Sequence, residues 1–159
     1  MKALKVIGII AVILASIVFF GLAFIGEMSP ETSVYLGKQV PKRFMNEIRS
    51  LNLLEEGETI KYFYSDAMFD IKDGMYFVTD RHLVVYSSAW DEPETIIDYA
   101  EITDVETEYD NSFFYDSYVT VETNSGMEVS FPVSSEKGRD KKFVEYMKAQ
   151  IRGQASAND

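Results

Sequence analysis

Cysteine is absent from this chain, and there is one histidine, one tryptophan and four prolines among its 159 residues. Lacking cysteine, it has neither a disulfide framework nor a cysteine-linked lipid anchor. One histidine and no cysteine leave too few ligands for an ordinary zinc site. A Ser–His–Asp triad would have to use His82, with Ser87 or Ser88 nearby. Those serines lie well along a strand from it, and no nucleophile-elbow sequence is present. His82 is therefore read as a residue at the start of a strand. Positive charge is also scarce: 15 Lys and Arg stand against 26 Asp and Glu. Setting aside Lys2 and Lys5 leaves a formal net charge of −13 on the rest. Nucleic-acid binding depends on neutralising phosphates with Lys and Arg, so that class is excluded. Docking on anionic lipid headgroups is disfavoured for the same reason.

What the chain does have is one long apolar run. Val6–Ile25 holds no charged residue, and its only polar side chain is Ser16. As a helix these residues would span about 30 Å, the thickness of a bilayer's hydrocarbon core. The expectation is an N-terminal transmembrane helix within residues 1–26, with membrane lipid as its partner. A cleaved signal peptide is the rival, since Lys2 and Lys5 supply a positive n-region. The run exceeds the usual h-region, however, and the nearest small-residue cleavage pattern, Gly21-Leu22-Ala23, is weak. Lys2 and Lys5 favour a cytoplasmic N-terminus, with Lys38, Lys42 and Arg43 weakening that bias. The expected location is the plasma (inner) membrane, single-pass, with the domain outside the cytoplasm.

Residues 27–57 read as a juxtamembrane linker. Within it Pro41 opens a short helix whose apolar face is Phe44, Ile48 and Leu51, and Glu55-Glu56-Gly57 ends it. From Thr59 the period becomes two. Ile60, Tyr62 and Tyr64 share one face. Met75–Thr79, Leu83–Ser87 and Thr95–Tyr99 follow as short strands. Thr103, Val105, Thr107 and Tyr109 then alternate with Ile102, Asp104, Glu106, Glu108 and Asp110. Tyr118–Thr123 and Met127–Val133 form a hairpin around Asn124-Ser125-Gly126, with Met127, Val129, Phe131 and Val133 facing in. Pro132 marks an edge or an end, since it cannot donate to a ladder. The last segment is helical, with Phe143, Met147 and Ile151 four apart, and 153–159 is a tail. The fold class is mainly β (α+β): a seven-stranded antiparallel barrel or sandwich over 58–152, plugged by a C-terminal amphipathic helix.

Two stretches carry a resemblance to a known group. Tyr76-Phe77-Val78-Thr79-Asp80-Arg81-His82-Leu83-Val84-Val85-Tyr86 is similar to a strand, Thr-Asp/Asn turn, strand segment. Ile97-Asp98-Tyr99-Ala100-Glu101-Ile102 is similar to an Ile-x-Tyr-x-Glu/Asp-Ile element. Together with the element order they make Glu58–Arg152 resemble the bacterial PH-like domains, relatives of pleckstrin-homology and GRAM modules. That group often has Arg directly before the Leu, where this chain has His82, with Arg81 one position earlier. Modules of the group that bind phosphoinositides use basic residues in the loop after the first strand. Here that loop runs from Asp66 to Asp73 with Lys72 as its one cation, so phosphoinositide binding is not carried over.

Two surfaces stand out for a protein partner, self-association included. Phe113-Phe114-Tyr115 lies in a loop, and Trp90 lies in another. Exposed, such aromatics suit protein recognition; buried, they are anchors. Asp104, Glu106 and Glu108, with Asp110, form an acidic row that is either a solvated face or a docking strip for a basic partner. The favoured function is thus a membrane-anchored, non-catalytic interaction module without a cofactor. The alternative is a small membrane-bound metal-dependent hydrolase using Asp66, Asp70 and Asp73, whose clustered carboxylates suit a hard cation.

Overall fold

The computed structural model describes residues 12–16, 33–110 and 115–157. Residues 12–16 are helical. No helix among the described residues is long and apolar enough to cross a membrane. Except for 12–16, the expected anchor Val6–Ile25 lies outside them.

The seven expected strands are present, preceded by a two-residue strand, β1 (Tyr35–Leu36). They are β2 (Ile60–Tyr64), β3 (Met75–Thr79), β4 (His82–Tyr86), β5 (Glu94–Asp98), β6 (Ile102–Glu108), β7 (Ser117–Thr123) and β8 (Glu128–Val133). Every pairing is antiparallel, in a five-stranded sheet β1-β2-β3-β4-β5 and a three-stranded sheet β6-β7-β8. Two helices accompany them, α1 (Lys42–Ser50) and α2 (Arg139–Ala157). β8 is an edge strand, which is why Pro132 is tolerated in it.

Two cores share the five-stranded sheet. In the inner core, Tyr76, Val78, Leu83 and Val85 pack with Val119, Val121, Phe131 and Val133 of the other sheet, and with Phe143, Val144 and Met147 of α2. The expected plug is thus in place: Phe143 stands 6.2 Å from Phe131, ring centre to ring centre. In the outer core, Phe63, Met75, Phe77, Val84 and Tyr86 meet Phe44 and Ile48 of α1, with Tyr35, Val40 and Leu53. Alternate residues of β3 and β4 therefore go to opposite cores, and β3 is buried from end to end. The stretch expected as a linker supplies much of this outer core. At its entry, Gly37 lies so close to β2 that a Cβ there would stand 1.8 Å from the Ile60 carbonyl oxygen. Only a residue without a side chain fits that approach.

Some local expectations are corrected. Helix α1 ends at Ser50, before Glu55-Glu56-Gly57. Asn52, at φ 57°, closes it with Asn52 N–H to Arg49 O at 3.0 Å and Leu53 N–H to Ile48 O at 3.1 Å. This is the Schellman pattern, and Leu53 and Ile48 share the outer core as that motif favours. In β2, a register shift between Ile60 and Tyr62 turns Ile60 to the outer core with Phe63, while Tyr62 and Tyr64 face the inner one. The same irregularity between Ile102 and Asp104 lets both Ile102 and Val105 face inward. A bulge inserts one unpaired residue, so strict alternation fails across it. Met127, expected to face in, is exposed because it belongs to the hairpin turn closed by Gly126 at φ 79°.

Candidate interaction surfaces

Two loops, 65–74 and 87–93, meet at one end of the domain, where Asp116 also lies. Ser87 Oγ donates to the Asp73 carbonyl at 2.9 Å and Ser88 N–H to the Lys72 carbonyl at 2.7 Å. Tyr64 Oη donates to Asp116 Oδ2 at 2.6 Å. Burial pushes the Asp116 carboxyl above its ordinary range, with the Tyr64 hydroxyl opposing that rise. Burial, followed by the hydrogen bond to Asp116, raises the Tyr64 phenol in turn. Large apolar side chains lie exposed at this end: Met68 at 71%, Phe69 at 56%, Trp90 at 38% and Tyr115 at 71%. Of the residues named from sequence, Trp90 and Tyr115 are therefore on the surface, while Phe113 and Phe114 lie outside the described residues. Composition hides Met68 and Phe69, because Asp66 and Asp70 mark their loop as solvated. The signal for them is two adjacent large apolar residues in a stretch with no strand or helix period.

Asp66, Asp70 and Asp73 carry separate local tasks. Asp70 Oδ1 accepts Lys72 N–H at 3.0 Å and caps a single 3-10 turn. Asp66 sits against Gly74, where a Cβ would come within 2.1 Å of its carboxylate, and hydrogen-bonds Tyr76. Asp73 offers its carbonyl to Ser87. Among the described residues no group of three or more His, Asp or Glu side chains could hold a metal ion. Lys72, the one cation of this loop, stands 3.4 Å from Asp70 and 3.6 Å from Glu47.

His82 opens β4, as expected. Its Nδ1 lies 3.0 Å from Glu58 Oε1, and the Glu58 side chain is 1% exposed. Thr79 Oγ1 donates to the same carboxylate oxygen at 2.5 Å and accepts from the N–H groups of Arg81 and His82 at 2.9 and 2.8 Å. Asp80 accepts from Thr59 N–H and Oγ1 at 2.9 and 2.7 Å. Partial burial works against ionisation of Asp80, but the Thr59 donors hold its carboxyl below the ordinary range. Fully buried Tyr99 donates its hydroxyl to the Thr79 carbonyl at 2.8 Å. The two stretches that carry the sequence resemblance thus meet at one turn, and their polar residues hold it to the start of β2.

Among the described residues, nothing covers the outer face of the three-stranded sheet. Register sets Asp104 opposite Glu122 and Glu122 opposite Glu128, a row of three carboxylates across three strands. The next rows are Glu106, Thr120 and Ser130, then Glu108, Tyr118 and Pro132. All five carboxylates are exposed. Among the described residues none of them is ion-paired. Like charges directly opposite one another oppose pairing, so this face gives up stability where a neutral one would not. The sequence named Asp104, Glu106 and Glu108; Glu122 and Glu128 join them only through the hairpin register.

Among solved structures, a PH-domain-containing protein from Exiguobacterium sibiricum 255-15 superposes with a TM-score of 0.55 at 19% identity, over 79% of this chain and 65% of that one. The fold is the bacterial PH-like one. Two further PH-domain structures, a DUF1696 family protein from Shewanella loihica PV-4 and a pleckstrin homology domain from Shewanella amazonensis SB2B, align at lower TM-scores of 0.43 and 0.46. Their identities are 14% and 13%, over 76% and 67% of this chain and 94% and 86% of theirs. No protein-family model and no curated protein matches the sequence.

Proposed function

We propose that this chain is a non-catalytic PH-like module, anchored in the plasma (inner) membrane by Val6–Ile25, that docks a protein partner outside the cytoplasm. The observation that carries the reading is the outer face of the three-stranded sheet, five exposed carboxylates with no ion-pair partner among the described residues. A face that opposes its own folding is explained by a basic partner that relieves it. The exposed Met68, Phe69, Trp90 and Tyr115 of the loop end are a second contact area, where apolar side chains would be desolvated on binding. Phosphoinositide recognition is not part of the reading, since Lys72 is already engaged by Asp70 and Glu47. The alternative, a hydrolase using Asp66, Asp70 and Asp73, is the weaker reading, since Asp70 caps a turn, Asp66 hydrogen-bonds Tyr76 and Asp73 Oδ1 accepts from Ser88 Oγ at 3.4 Å.

Proximity labelling from the full chain, with a topology reporter at its C-terminus, tests the proposal. The expected result is a reproducible labelled partner that resists mild washing and is lost in a Glu106→Lys/Glu122→Lys variant that still folds by circular dichroism. The chain should stay in the membrane fraction after alkaline extraction. Release into the soluble fraction with Val6–Ile25 intact would remove the anchor, and an unchanged set of labelled partners in the variant would remove the docking face.

A further inference from the structure

Residues 33–54 hold four cations, Lys38, Lys42, Arg43 and Arg49, against one acid, Glu47, whereas residues 55–159 hold nine cations against 23 acids. The four cations collect on one surface. In α1, Lys42, Asn46 and Arg49 follow at spacings of four and three, on the side away from buried Phe44 and Ile48, and all three are exposed. Exposed Arg43 lies beside them, and exposed Lys38 is in the turn before the helix. Among the described residues, Lys38, Lys42 and Arg49 enter no ion pair. Glu47, the one acid, is engaged by Lys72 at 3.6 Å. Lys42 and Arg43 open the helix with no acid in its first turn and no side-chain cap. The positive end of the helix dipole lies there and favours anions, so these cations cost α1 stability.

Helix α1 covers the outer side of the five-stranded sheet, and the three-stranded sheet lies across the inner core from it. The basic helix face and the acidic sheet face are therefore the two outermost surfaces of the layers, and they point away from each other. Each carries charges that oppose its own folding, and each supplies the charge that the other lacks. On the acidic face a depression of about 180 Å³ is lined by Glu106, Glu108, Tyr118, Thr120 and Ser130, with Thr107. Two carboxylates, hydroxyl acceptors and the exposed Tyr118 ring suit the head group of an arginine or a lysine.

From this arrangement we infer that the acidic sheet face docks the outer face of α1 from a second copy of this chain. Lys42 and Arg49 of one copy sit over Glu106, Glu108 and Glu122 of the next. The inference rests on the docking reading above and names the partner. Two copies cannot exchange both contacts with each other, because the two faces of each point in opposite directions. The contact is heterologous, head to tail, and builds a ring or a row. Copies anchored in one membrane meet at high effective concentration, so a modest interface suffices. An anionic lipid surface is the other occupant that a basic helix face fits. It is disfavoured, since residues 55–159, with nine cations against 23 acids, approach the lipid with the helix.

The chain has no cysteine, so Gln154→Cys gives one labelling site at an exposed position of α2. Donor-labelled and acceptor-labelled full chains are mixed in micelles of a neutral detergent, and energy transfer is followed against protein concentration. The expected result is association that weakens as salt rises. Glu106→Lys/Glu122→Lys alone and Lys42→Glu/Arg49→Glu alone should each weaken it at least tenfold. Mixing the two variants should restore energy transfer between them, because the helix of the first and the sheet of the second are both unaltered. Lys42→Glu puts an acid in the first turn of α1, where the dipole favours it, and circular dichroism checks that both variants fold. No association of the parent chain, or association that both variants keep, overturns the inference. So does loss in both variants without recovery on mixing, and so does association seen only in bilayer discs that contain an anionic phospholipid. The docking reading would survive each of these if proximity labelling still lost a partner other than this chain in Glu106→Lys/Glu122→Lys.

Discussion

The five-stranded sheet is covered on both faces and the three-stranded sheet on one. The first packs against α2 and the other sheet inside and against α1 and its flanking residues outside. The second gives its inner face to the shared core and leaves its outer face to solvent. The coverings follow from composition. β3 and β4 are apolar on both phases, as strands buried on both sides must be. β7 sets Val119 and Val121 on one phase and Tyr118, Thr120 and Glu122 on the other, while β6 turns only Ile102 and Val105 inward, on either side of its register shift. The five-stranded sheet thus buries side chains on both of its faces and the three-stranded sheet on one.

Substitutions sharpen this contrast. The largest effect is expected at the shared inner core. Phe143→Ala removes a fully buried ring packed near Phe131 and Tyr62, and should cost about 3–5 kcal/mol in chemical denaturation. Next comes the covering that only the five-stranded sheet has. Phe44→Ala removes the α1 ring that lies 5.9 Å from Phe63 and 6.1 Å from Tyr35, and should cost about 3 kcal/mol. Near-wild-type stability in Phe44→Ala would show the outer layer to be dispensable and make the two sheets alike.

Acid titration separates two carboxylates of opposite sign. Asp80 has a lowered folded-state pKa, so its contribution is present above the unfolded value near 4 and is lost as pH falls through the folded one. Asp80→Asn should therefore destabilise at neutral pH, with the deficit narrowing in acid. Asp116 has a raised folded-state pKa, so its carboxyl favours folding most below the unfolded value and loses that contribution as pH rises through the folded one. Asp116→Asn should stabilise at neutral pH, and the gain should vanish below about pH 4. Thermal melts of both variants between pH 3 and 7 check the two signs. The smallest effect belongs to the bare face. Glu122→Lys places a cation between Asp104 and Glu128 and should add about 0.5 kcal/mol, a gain that shrinks as salt rises.

The architecture was largely legible in the sequence because its strands are short, regular and separated by turn residues. The hairpin at Asn124-Ser125-Gly126 and the spacing of Phe143 and Met147 placed β7, β8 and α2 directly. β1 was not legible, since two residues cannot display a period. Nor were the shifts at Ile60 and Ile102, where pairing rather than side-chain pattern decides which face a residue takes. The candidate surfaces show the same division. Asp104, Glu106 and Glu108 alternate along one strand and are visible in one dimension. Glu122 and Glu128 join them only through cross-strand register, and Met68 and Phe69 gain meaning only from their exposure at the loop end.

Helix α2 follows both sheets in chain order yet completes the core that both share. During synthesis, residues emerge N-terminus first, so α1 and the five-stranded sheet can associate while α2 is still being made. Val119, Val121, Phe131 and Val133 must then wait, uncovered on one side, until Phe143 and Met147 arrive. A chain truncated just before residue 143 would therefore keep a sticky, half-built interior, open to chaperones or proteases.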